Sequence, residues 1–393
     1  MLINLSVGKR VIPLLIFSLL VDGEGAAISP RINNFGLALF SELLAGESNK
    51  NILISPPSIA IALIMTYNGA EGETKQAMAK TLGLEGIALA QLNQEMKKIH
   101  QRLKSRDEKI KIEVANSLWA RKGISFRQDF LKRNKEFFSA EIKSLDFSQA
   151  AIKEINRWVE KKTKGKIREI IEKIEGNAVL FLINAIYFKG KWQKEFAKNK
   201  TKEDIFFGPK GPEKVFMMNQ SGRFPYLKKE ICQAVSLPYG KGDISIYLFL
   251  PDTNRTISEL VQWLKGEKWE DLMGEFREME GDISLPRFQM EYEKSLKDVL
   301  KEMDMAIAFD PYKADFTGMR KEGELFINDV RHKTFIKVDE EGTEAAGATS
   351  VEIALTAVPD RFSIVFNRPF FFALQDNRTG LLLFTGIVSE PNE

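Results

Sequence analysis

The chain has 393 residues, 44% hydrophobic and 28% charged, which excludes a disordered chain and allows one large domain or two ordinary ones. A net charge of +3 is too small to point to nucleic acid. A single cysteine, Cys232, excludes an intrachain disulfide and a cysteine-based metal cluster, so packing alone must hold the fold. Residues 1–27 come first. Lys9 and Arg10 precede an apolar run, Val11 to Val21, that is too short to span a membrane. Gly23 and Gly25 have the small size and spacing of a cleavage site before Ala26. The segment reads as a signal peptide or an N-terminal extension, although Asp22 and Glu24 are unusual there. Secretion is the expectation and a cytoplasmic protein the alternative. No cysteine lies nearby to carry a lipid, so no stable membrane anchor is expected.

Ser29 and Pro30 open a helix whose inward stripe is Ile32, Phe35, Leu39 and Leu43. A short strand, Asn51–Ser55, is stopped by Pro56 and Pro57, and Ser58 caps a helix that is apolar all round and therefore buried. Lys109–Ala120 alternates through Ile110, Ile112, Val114 and Leu118 as a half-buried strand does. Residues 149–163 form an amphipathic helix with Ile152, Ile155, Trp158 and Val159 inward. Val179–Phe188 is an almost unbroken apolar run, expected of a central strand covered on both faces. Its one polar residue, Asn184, needs a hydrogen-bond partner if buried. From about residue 203 to 290 the chain is strand-rich, with a hairpin through LPYGKGDISIYLFLPD and a helical interlude over Thr256–Met273. Leu325–Val338 is a strand with His332, Thr334, Ile336 and Val338 on one face.

The segment Asp339–Asp360 is unusual. From Thr343 it alternates with period two: Thr343, Ala345, Gly347, Thr349, Val351, Ile353 and Leu355 are uncharged, and the opposite phase carries every charge. Its first half is made of Ala, Gly, Thr and Ser, which pack weakly. Such a segment can join a sheet without insisting on it. A solvated small-residue linker has the same composition.

Enzyme chemistry has little to build on. There are two histidines, His100 and His332, and no GxSxG, HExxH or GxxxxGK[ST] motif. His100 lies in a charged helical run that reads as surface. No metal site or cofactor is expected.

EEGTEAAGAT, Glu340 to Thr349, resembles the proximal hinge of the reactive-centre loop of inhibitory serpins. NILISPPSIAIALIMTYNGAEGET, NAIYFKGKW, ADFTGM and FNRPFFF resemble further serpin segments in the same order, so the likeness covers about residues 30–390. It implies an α+β fold: a single domain over 28–393 with a large central mixed β-sheet, two further sheets, surrounding helices and an exposed loop at about 340–360. It also implies roles. The hinge would be Glu340, Glu341, Gly342, Thr343, Glu344, Ala345, Ala346, Gly347, Ala348 and Thr349. Ser55, Ser58, Asn184 and His332 would latch the sheet, with His332 pairing to Asn184, and Trp192 would stand at its top.

The function implied is suicide inhibition of a serine protease, or of a cysteine protease, by a monomer that forms a covalent 1:1 complex and is not an enzyme. After cleavage the loop inserts into the central sheet. The inward phase is uncharged, and no proline interrupts Glu340–Val358. Family spacing puts the scissile bond at Thr356–Ala357, with Leu355–Thr356 and Ala354–Leu355 as neighbouring candidates. An uncharged threonine disfavours trypsin-like targets and suits elastase-like or subtilisin-like ones; Leu355 would admit chymotrypsin-like enzymes. Three alternatives stand beside this: a non-inhibitory binding, carrier or chaperone serpin; a hydrolase using His332; and a polyanion-regulated inhibitor using Lys97, Lys98, Arg102, Lys104 and Arg106. Sequons occur at Asn254 and Asn377.

Overall fold

The computed structural model describes residues 28–103, 107–176, 178–321, 325–342 and 361–391. In α1 (Ile28–Gly46) the stripe Ile32, Phe35, Leu39 and Leu43 is buried, as a helix lying on a core requires. A short strand, β1 (Ile52–Ile54), leads into α2 (Pro56–Tyr67), every residue of which is buried. The helix begins at Pro56 and its N-cap is Ser55, two to three residues earlier than the sequence reading placed it. Proline has no N–H to lose and its fixed φ suits the first helical positions. Pro56 and Pro57 therefore start the helix as well as ending the strand.

The remaining helices are α3 (Gly72–Leu82), α4 (Leu89–Leu103), α5 (Gln128–Phe138), α6 (Gln149–Lys162), α7 (Ile257–Gly266), α8 (Trp269–Met273) and α9 (Lys297–Leu300). The predicted interlude over Thr256–Met273 is thus a pair of helices, the first opened by a capping box between Thr256 and Glu259. After β1 the strands are β2 (Ile110–Arg121), β3 (Glu141–Leu145), β4 (Leu180–Gly190), β5 (Lys202–Gly208), β6 (Gly211–Lys228), β7 (Cys232–Tyr239) and β8 (Ile244–Pro251). They continue as β9 (Arg277–Pro286), β10 (Phe288–Ser295), β11 (Asp329–Val338), β12 (Arg361–Val365), β13 (Phe370–Asp376) and β14 (Leu381–Val388).

Five strands form a mixed sheet in the order β10–β11–β4–β2–β3. The other nine form one path, β1–β14–β13–β8–β7–β6–β9–β12, with β5 on β6. The two further sheets implied by the resemblance are continuous here because β6 pairs β5, β9 and β7 in turn along its length.

Strand β4 explains its own apolar sequence. Leu180, Leu182, Ile186 and Phe188 face the main core, against α2. Phe181, Ile183, Ala185 and Tyr187 face a second, smaller core closed by Ile152, Ile155 and Val159 of α6. Two buried faces leave no solvated phase, so the strand is apolar apart from Asn184 and its last two residues, Lys189 and Gly190.

Candidate functional site

The site is the seam between β4 and β11. These strands run parallel, in register from Phe181–Asp329 to Tyr187–Phe335. Above that last rung Phe188–Gly190 remain paired to β2 and Ile336–Val338 to β10, but the two runs do not pair with each other. The seam is forked at this end. A cleft of about 350 Å³ lies beside the fork, lined by Arg287, Phe288, Lys337, Val338 and Glu340 among others.

Lower down, Asn184 and His332 are register partners across the seam, and both are fully buried. His332 Nε2 accepts the backbone N–H of Ser55 at 3.2 Å, so the ring proton sits on Nδ1 and is donated to Asn184 Oδ1 at 2.5 Å. The Asn184 amide donates to Ser58 Oγ and to Asn116 Oδ1. Ser55 joins the cluster through its backbone; its hydroxyl has no partner among the described residues. Burial pulls the His332 pKa down to about 3, so the ring is neutral at ordinary pH. With both ring nitrogens hydrogen-bonded inside the core, His332 has the surroundings of a structural histidine. Asn116 is not among the residues that the sequence marks for this cluster. Its signal was the break in the apolar phase of β2 between Val114 and Leu118.

The top of the seam holds Asp339–Gly342, where the resemblance to serpins puts the start of a hinge. Asp339 and Gly342 close a tight turn, N–H to carbonyl, at 2.8 and 3.1 Å. Gly342 makes an antiparallel bridge to Lys191. Its φ is +126°, and a Cβ there would lie 2.2 Å from the Gly190 carbonyl oxygen, so only glycine fits. Trp192, stacked on Tyr239 at 4.2 Å, donates its indole N–H to Asp339 O at 2.9 Å and its backbone N–H to Glu341 O at 3.0 Å. The Glu340 side chain is buried and accepts from Arg287 Nη2 and Thr201 Oγ1, each at 2.6 Å. Burial works against its charge, but the hydrogen bonds from Arg287 and Thr201 outweigh it and hold the carboxyl below its usual range. Glu341 accepts from Lys198 Nζ at 2.5 Å, which raises the pKa of that lysine. Arg287, Thr201 and Lys198 carry no signal in sequence spacing that links them to Glu340 and Glu341.

Glu340→Gln is expected to lower stability by about 1–3 kcal/mol, since it removes the charge from the carboxylate that accepts from the Arg287 guanidinium. Urea unfolding of Glu340→Gln, Arg287→Gln and the double variant checks this. The two losses should fall clearly short of additive, because one interaction is lost in each; additive losses would show the pair does not act as a unit.

Of the predicted hinge, Thr343, Glu344, Ala345, Ala346, Gly347, Ala348 and Thr349 lie outside the described residues, as do Thr356–Ala357 and residues 1–27. Of the basic cluster, Lys98 pairs with Glu95 at 2.6 Å and Lys97 lies 5.5 Å from the centre of the Phe137 ring. Lys104, Arg106 and the Arg102 side chain lie outside the described residues. Asn254 is exposed, whereas the Asn377 amide donates to Gly242 O and Ser245 Oγ. Among the described residues no helix is long and apolar enough to cross a membrane, and no group of three or more His, Cys, Asp or Glu could hold a metal ion.

Comparison with known proteins agrees over almost the whole length. The family model described as serpin (serine protease inhibitor) matches residues 30–391. An uncharacterized serpin-like protein of Thermococcus kodakarensis is 34% identical, over 96% of this chain and 89% of its own. The leukocyte elastase inhibitor of Equus caballus is 33% identical, over 93% and 99%. Among solved structures, the thermophilic serpin tengpin in its native state superposes with a TM-score of 0.86 at 36% identity, covering 92% of this chain and 94% of its own. Human thyroxine-binding globulin gives 0.84 at 28%, covering 93% and 99%. With a match of this extent, and a forked parallel seam beside the Asp339–Gly342 turn, the chain belongs to the serpin family.

Proposed function

We propose that this serpin inhibits a serine protease by a single covalent reaction that consumes it. The protease serine attacks the carbonyl carbon of the residue before the scissile bond, Thr356 in our reading. An ester forms and the amine of Ala357 leaves. The freed loop then enters the seam between β4 and β11.

The observation that carries this reading is the Gly342–Lys191 bridge. It is antiparallel to β4, the direction a strand must take to enter from the fork. Continued in the same register, it would set Thr343 beside Gly190 and Ile353 beside Leu180, so eleven loop residues would match the eleven of β4. Side chains directly opposite in an antiparallel pair share a face. Thr343, Ala345, Gly347, Thr349, Val351 and Ile353 would then face the main core and Glu344 and Glu352 the other side. The uncharged phase meets the apolar face. Hydrogen bonds gained on both edges, at roughly 1 kcal/mol net each, favour insertion by on the order of 10 kcal/mol.

Thr356 suits an elastase-like or subtilisin-like target, and likeness to leukocyte elastase inhibitors favours the former. A cysteine protease target is carried as a further outcome, as is Leu355 with a chymotrypsin-like enzyme. The carrier reading draws on the likeness to thyroxine-binding globulin, but a hinge of small residues without proline favours insertion. A monomer suffices for the reaction. Secretion rests on residues 1–27 alone.

The test is a denaturing gel after incubation with elastase, subtilisin, chymotrypsin and trypsin separately. A band at the summed mass, with a released fragment beginning at Ala357, is the expected result. Complete cleavage of the loop by each enzyme that attacks it, with no such band, would sink the inhibitory reading.

A further inference from the structure

The turn after α6 places one side chain over the fork of the seam. Thr163 is fully buried; its hydroxyl donates to Val159 O at 2.9 Å and accepts the Ile167 N–H at 3.1 Å. Lys164 and Gly165 both have positive φ, so the chain reverses and Ile167 drops into the second core. Between these anchors Lys166 lies half-buried, its Nζ 5.7 Å from the centre of the Tyr187 ring and 5.9 Å from that of Phe335. Tyr187 and Phe335 are register partners, one on each side of the seam, and form its last paired rung. Their ring centres are 6.0 Å apart.

We infer that Lys166 is a positioning residue for loop insertion: a single cation shared by both rings holds the seam shut at its last rung and sets how fast β4 and β11 part. This rests on the insertion reading above. A cation is attracted to an aromatic face within about 6 Å. A new strand would move the two rings about 4.8 Å further apart and would occupy the space between them. The ammonium could then keep only one ring. The buried Thr163 turn fixes the backbone from which the lysine projects toward the rings.

The test uses the intact protein and a synthetic peptide of residues 343–355, TEAAGATSVEIAL, labelled so that its annealing into the seam can be timed. Lys166→Met keeps the apolar stem and removes the charge; it should speed annealing about 3- to 10-fold. Lys166→Arg, which retains the cation, should restore the native rate. In a Tyr187→Leu/Phe335→Leu background, Lys166→Met should change the rate less than about twofold, since the rings it acts through are gone. An unchanged rate for Lys166→Met, or the same acceleration without the rings, overturns the assignment while leaving insertion standing. Failure of the peptide to anneal to the native protein would overturn insertion itself, and the assignment with it.

Discussion

Thr343→Arg is expected to abolish the denaturant-resistant protease complex and turn the protein into a substrate that is cut and released. On the proposed insertion, the register set by the Gly342–Lys191 bridge would make residue 343 the first to enter, beside Gly190. Space there is short: even a Cβ added at Gly190 would meet Phe188 at 2.8 Å and Tyr239 at 2.9 Å. A guanidinium entering at this point meets the Phe188 and Tyr239 rings, and burying a charge among them costs several kcal/mol. Insertion competes with hydrolysis of the acyl-enzyme. A barrier raised by about 3 kcal/mol slows insertion by about two powers of ten, enough to hand the outcome to hydrolysis. Titrating a fixed amount of protease and counting complex against cleaved protein gives the answer. Thr343→Ser, small and uncharged, should behave as native. If Thr343→Arg still forms complex at the native ratio, the inward placement of residue 343 is wrong.

The second large effect concerns His332. His332→Ala removes the donor to Asn184 Oδ1 and the acceptor of the Ser55 N–H, and leaves a cavity between β11 and α2. Two orphaned buried polar groups and the lost packing together should cost about 3–5 kcal/mol of stability. The effect is also pH-dependent. The folded pKa of about 3 lies below the value of about 6.5 for an unfolded histidine, so the unfolded chain binds more protons between them. Stability contributed by the neutral ring is therefore complete above about pH 6.5. It is lost as pH falls toward 3, at up to about 1.4 kcal/mol per pH unit. The native protein's advantage over His332→Ala should shrink between pH 7 and pH 4, measured by urea unfolding at each pH. An advantage that holds constant or grows with acid would mean the ring is not held neutral.

What could be read from the sequence follows from how local the signal is. The helix stripe of α1, the doubly buried run of β4 and the alternating loop segment are patterns within a few residues of each other, and the structure carries the first two as elements. Asn184 stood out because it interrupts an apolar run, and His332 because the chain has so few histidines. Pro56 and Pro57 were harder, since proline both ends a strand and begins a helix, and only the location of the N-cap decides which residue starts the turn. The Arg287–Glu340 pair, the Trp192 contacts with Asp339 and Glu341, and the placement of Lys166 over two strands join segments far apart in the chain. No spacing rule reaches them. The fork itself is legible only as the rung at which two parallel strands stop pairing.

The most direct test of insertion is the thermal unfolding midpoint of the protein before and after its loop is cut by a protease it does not trap. The result expected is a rise of tens of degrees on cutting, because the freed segment pairs with both β4 and β11 and fills the seam. A midpoint that stays level or falls after complete cutting would contradict insertion, and would leave this chain a serpin by fold with a loop that does not enter its sheet.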